Sequence, residues 1–323
     1  MNISVNPVIE LLTIIQYLVG VDELNDIDSE YKSDINEYFL KFKNHKVIEK
    51  YIKLSKGGFS HDAPVVLLLA TSGFPKLQLD RESNESLLID SIKRAGGYKN
   101  ALDFLNHVGD FYEVSNFQQF YENHTIIYNH MLNDFKLELN KLDFVNLLES
   151  YFGMSQKSYT VILSPMIQGG YGPRFNVENC KADVFCIMGP SDFVDNKFYF
   201  ENIELYILHE FSHSFVNNLT EKFLTDVTQY YHLFSNIKEE MNNIAYGNWV
   251  TTVNEHIVRA IVARIALQEV GKELYDMTLE YEKSLGFAYI KKVVDKLEHY
   301  ENNRNVYKNF EEYYHILISA FGS

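Results

Sequence analysis

The stretch LYILHEFSHSFVNN, Leu205 to Asn218, decides how this chain is read. Within it, His209, Glu210 and His213 spell H-E-x-x-H. The apolar residues around them, Leu205, Leu208, Phe211, Phe215 and Leu219, recur at helical spacing. In a helix, positions i and i+4 stand one turn apart on the same face, so His209 and His213 are placed to share one zinc ion. Glu210 follows directly, and from there its carboxylate can take the proton of a water on the metal without being a ligand. The bland alternative is a pair of surface histidines, or a His–Glu cluster capping a core. A third ligand downstream separates the two readings.

One known extension of the motif requires Gly at 216 and His at 219, and Val216 and Leu219 stand there instead. The other requires a Glu on a later helix. WVTTVNEHIVRAIVARIA supplies one, because Glu255 lies among Val253, Ile257, Ile261 and Ile265, and a carboxylate so placed needs an ion or a partner. Two competitors remain open. Arg259, four residues on, could pair with Glu255 without any metal, and His256 could be the ligand instead, although it points about 100° away from Glu255. Asn254 and Arg259 read as groups that orient the Glu255 carboxylate. A peptide hydrolase also needs a donor for the developing oxyanion. Tyr230, Tyr231, His232, Tyr246 and Arg259 form the pool, with Tyr246, in AYGNW just before the Glu255 helix, as first choice.

The rest of the chain sets the frame. Its 323 residues suffice for one large domain or two modest ones, and 23 Tyr with 23 Phe imply extensive apolar burial. Few Pro and Gly favour helices. The net charge of −15 would be repelled by a phosphate backbone, so nucleic acid is not an expected partner. Two cysteines, Cys180 and Cys186, make no disulfide framework; a pair across a turn is conceivable, and buried free thiols are expected. The N-terminal MNISVNPVIELLTIIQYLVG has no basic leading region, is interrupted by Glu10, and reads from Val8 onward as an amphipathic core helix. No run of 18 apolar residues occurs, so no membrane span is expected, and the sequence as given reads as leaderless and cytoplasmic.

Residues 1–150 read as a succession of helices, with Asp28-Ser29 and Ser60 to Asp62 as capping signals. SYTVILSPMIQGGYGPRF and ADVFCIMGP then read as two strands, joined by a glycine-bearing loop. Helices return after Glu201. The expectation is a predominantly helical α+β protein with one small sheet and a boundary near residue 150, or one continuous unit.

HEFSH, with Glu255 in NEHIVRA after 41 residues that intervene from His213, resembles the gluzincin arrangement of zinc metallopeptidases. More narrowly, IELLTIIQYL, LSPMIQGGYG, HEFSHSFVN and YGNWVTTVNEHIVRAI resemble a family of bacterial proteins known as a domain of unknown function. The gluzincin resemblance implies zinc held by His209, His213 and Glu255, with Glu210 as general base and a peptide or protein as substrate. It further implies a zincin-like lobe over 151–323, its small sheet lying over the H-E-x-x-H helix, beside an N-terminal helical lobe over 1–150. One strand, ADVFCIMGP or YTVILSP, is expected to offer an edge to an extended peptide. Two other functions fit the same residues. One is a non-catalytic protein with a structural or lost metal site, for which His232 or His256 could supply a closing ligand; the other is a zinc hydrolase of non-peptide amides or esters.

Overall fold

The computed structural model describes residues 1–21, 24, 26–79, 86–139, 142–178 and 181–322, with the side chains of 176–178 left aside. Helices dominate and the sheets are small, giving a predominantly helical α+β fold. The chain folds as two compact units, Met1–Asn140 with Ser158–Ile203, and Lys141–Lys157 with Glu204–Ser323. It therefore passes from one unit to the other more than once.

In the first unit, local chemistry sets the helix ends. Asn6 accepts a hydrogen bond from the Val8 amide, Pro7 occupies the first turn, and Gly20 closes the helix Pro7–Val19 at φ +79°. The Ser29 side chain accepts from the Lys32 amide at the start of Glu30–Phe39, as its sequence predicts. The helix Asp62–Leu69 is capped differently: His61 is the N-cap residue and makes no side-chain cap bond.

The sheet of this unit is larger than its sequence suggests. Strand Asn2–Val5 lies parallel to Ser158–Leu163, which lies parallel to Lys181–Met188, and the short strands Gly170–Tyr171 and Arg174–Glu178 pair antiparallel with the latter. The region expected to hold two strands thus holds four, and a fifth comes from the N-terminus. Gly169, at φ +69°, makes the turn that the glycines announce. One expectation is corrected here. Ser158–Leu163 and Lys181–Met188 are both interior strands, so their backbone edges pair with neighbours and do not offer themselves to a peptide. Cys186 is buried, as expected, while Cys180 lies outside the described residues.

Glu10, the residue that interrupts the first apolar run, is fully buried and accepts a 2.6 Å hydrogen bond from Tyr31 Oη, which also meets Tyr128 Oη at 2.8 Å. Burial pushes its carboxyl from 4.5 up to about 7, with hydrogen bonds from Ser164 and Tyr31 acting the other way. Because the folded-state value is the raised one, this stability is fully present below about pH 4.5 and is lost as pH rises through about 7, a loss of ~3 kcal/mol. Glu10→Gln cannot ionise. Urea unfolding should therefore show the variant gaining on the wild type by ~3 kcal/mol between acidic and mildly alkaline pH, whereas a pH-independent difference would contradict the assignment.

The second unit consists of helices among its described residues. Phe152, on the helix Phe144–Phe152, stacks on Phe215 of the helix Ile203–Lys222 at 4.2 Å between ring centroids. Gln156 Nε2 donates to the carbonyl and hydroxyl oxygens of Ser214 at 3.3 and 3.1 Å. These contacts fix the helix that carries the motif. Among the described residues no helix is long and apolar enough to cross a membrane.

Candidate metal centre

His209, Glu210 and His213 stand on the helix Ile203–Lys222, and Glu255 on the helix Trp249–Glu269, whose N-cap Asn248 accepts from the Thr251 amide. Phe211, Phe215, Val216 and Leu219 are buried in the core. The two histidines keep partial exposure, with 18% and 14% of their side chains accessible. The helices are tied by Asn254, whose Oδ1 accepts from Thr220 Oγ1, and Thr220 also meets Tyr314 Oη. Asn254 thus joins the two helices, a different task from the expected one of orienting Glu255.

The geometry of the cluster is specific. His209 Nε2 and His213 Nε2 are 3.1 Å apart, Glu255 Oε1 is 3.4 Å from His213 Nε2, and Glu255 Oε2 is 3.6 Å from His209 Nε2. Zinc bonds of about 2.0–2.2 Å at tetrahedral angles would set ligand atoms roughly 3.3–3.6 Å apart. The two imidazole nitrogens and the Glu255 carboxylate thus lie close to such spacings, though the two Glu255 distances run to different oxygens, and one ligand atom from each residue lies within 4.8 Å of the others, so the three residues could hold a metal ion. Among the described residues, this is the cluster of His, Cys, Asp and Glu able to hold a metal. His213 Nδ1 lies 3.2 Å from Asn217 Oδ1, so Nδ1–H donates there and the Nε2 lone pair faces the cluster. Burial, then His213 and Arg259, hold His209 well below its ordinary value, so its imidazole is neutral, as a ligand must be.

Glu210 is buried and lies outside the three-ligand cluster. Burial pushes its carboxyl up to about 7; His213 opposes this, Glu255 adds to it, and Arg259 opposes it. A group poised near neutrality suits proton transfer in both directions.

Both competitors for the third position have other surroundings. His256 is fully buried, its Nδ1 2.8 Å from the Thr252 carbonyl, its ring packed among Phe287, Tyr289 and Phe321, and burial pushes it down to about 4. It is a core residue. Arg259 does pair with Glu255, with Nε donating to Oε2 at 3.2 Å, yet the carboxylate still reaches both histidines. Arg259 Nη2 also donates to Tyr246 Oη at 3.1 Å, which brings Tyr246 into the network. His232 and Tyr231 are exposed on the turn Tyr231–Asn236, and His232 is not part of the cluster.

Two residues escaped the sequence reading. Asn217 could have been found, since it lies four residues past His213 inside the quoted stretch. Glu282, on the helix Lys272–Ser284, takes two hydrogen bonds from Arg259 Nη1 at 2.9 and 2.8 Å, and nothing in LEYEKS marks it out from its acidic neighbours.

Fold and site together define a predominantly helical α+β protein with a His-His-Glu cluster able to hold a metal ion. The family model described as "Domain of unknown function (DUF4932)" matches residues 1–320, and the chain belongs to that family. No curated protein and no solved structure gives a significant match.

Proposed function

We propose that this protein is a zinc-dependent peptidase in which His209, His213 and Glu255 hold the ion and Glu210 is the general base. The observation that carries the reading is the convergence of two imidazole Nε2 atoms and a carboxylate within 3.1–3.6 Å, with a further buried carboxylate beside them on the same helix. Two nitrogens and one oxygen suit zinc, and three protein ligands leave a coordination position open, which is the pattern of catalytic sites rather than structural ones. When bound, zinc would polarise the scissile carbonyl and acidify water.

The chain's own groups supply the remaining chemistry. Glu210 accepts a proton as a water oxygen forms its bond to the carbonyl carbon, then gives that proton to the amine nitrogen as the C–N bond breaks. Tyr246 Oη accepts from Arg259 and lies beside Glu255, and its O–H would turn from that carboxylate to the developing oxyanion. The partner is a peptide or protein.

The test is a diverse peptide library incubated with zinc-loaded protein and with chelated protein, read by mass spectrometry for new termini. Cleavage in the zinc-loaded sample alone is expected. Cleavage indifferent to chelation, or hydrolysis confined to non-peptide amides and esters, would overturn the peptidase reading.

A further inference from the structure

An arginine bonded to a metal-ligand carboxylate presents a problem. Arg259 Nε donates to Glu255 Oε2, and an isolated Glu–Arg pair is neutral. With two neutral imidazoles, such a pair would leave the three ligands and Arg259, counted without Glu210, no net negative charge to receive a divalent cation, and the guanidinium would repel it.

Glu282 changes that balance. Both of its oxygens sit on Arg259 Nη1, at 2.9 and 2.8 Å, closer than the 3.2 Å between Arg259 Nε and Glu255. Glu282 is 7% exposed and reaches across from a neighbouring helix. The rest of the guanidinium is held as well: Nη2 donates to Tyr246 Oη, and the Phe287 ring lies 4.5 Å from Cζ. From Arg259, Glu255 therefore receives one hydrogen bond, on Oε2, while Oε1 stands beside His213. With Glu255 and Glu282 each −1 and Arg259 +1, the group carries −1. A charge remains for a cation, and the ligand carboxylate is not neutralised.

Resting on the metal-site reading above, we propose that Glu282 is a positioning and charge-balancing residue for the zinc site. It draws Arg259 off Glu255 far enough for Glu255 to bind metal. Without Glu282, Arg259 closes on Glu255 as a competitor of the ion. Removing both charged partners removes the competitor.

The experiment measures zinc affinity by chelator competition on the full chain, with circular dichroism and metal-free melting recorded for each protein. Wild type, Glu282→Gln, Glu282→Asp and the double variant Arg259→Gln/Glu282→Gln are compared. Glu282→Gln should bind zinc ~10–100-fold more weakly. Glu282→Asp, which restores the charge, should recover to within about 3-fold of wild type, and so should the double variant, which lacks the competing guanidinium. A purely structural role for Glu282 would track the metal-free melting temperature and would not predict rescue of affinity by charge alone. Wild-type affinity in Glu282→Gln, or a double variant as weak as that single one, overturns the proposal. If Glu282→Gln does not fold, the double variant decides, and a loss of ~10-fold or more there overturns the proposal. A wild type that binds no zinc is a different result, since it removes the metal site itself.

Discussion

Glu210→Gln is expected to retain one zinc ion per chain and to cleave an identified peptide substrate ~10²–10⁴-fold more slowly than the wild type. The side chains have nearly the same shape, and Glu210 stands outside the His209, His213 and Glu255 ligand cluster, so metal content should not change. What changes is proton transfer. An amide cannot accept the proton of the attacking water, and it has no acid form to return one to the leaving amine. The burial that raises the Glu210 carboxyl to about 7 prepares it for both tasks. Metal analysis and steady-state kinetics on the same preparation separate the two effects. Full activity in the variant would remove Glu210 from the mechanism, and loss of zinc would make it a ligand.

His213→Ala should have the other large effect, this time on the metal. Its Nε2 is 3.1 Å from His209 Nε2 and 3.4 Å from a Glu255 oxygen, and its Nδ1 is fixed by Asn217, so the variant removes one of three ligands and its orientation together. A ligand bound only by the folded state stabilises it by RT ln(1 + [L]/Kd), about 4 kcal/mol at a thousandfold excess over Kd. The wild type should therefore melt at a higher temperature with zinc, while His213→Ala should show no rise and no stoichiometric zinc. An equal rise in both proteins would place the stabilising ion elsewhere.

Local pattern made part of this structure legible. The H-E-x-x-H helix, the later helix bearing Glu255 and the Ser29 cap follow from period, spacing and capping chemistry, because each depends on residues within a turn or two of one another. The strand Asn2–Val5 was not legible. Four residues show too little alternation to mark a strand, and its partner Ser158–Leu163 lies more than 150 positions away. That same pairing makes Ser158–Leu163 interior, so the peptide-binding edge implied by the gluzincin resemblance is absent there. Asn254 was misread for a related reason: its neighbour in sequence is Glu255, but its partner in space is Thr220. Glu282 is the clearest case, since its importance rests on burial against Arg259, which no local pattern records.

The most direct measurement is a crystal structure of the zinc-loaded protein, with anomalous diffraction collected on both sides of the zinc absorption edge. A single strong peak about 2.0–2.2 Å from His209 Nε2, His213 Nε2 and a Glu255 oxygen is the expected result. A peak lying elsewhere, or none in fully loaded crystals, would contradict the metal centre and the function proposed from it.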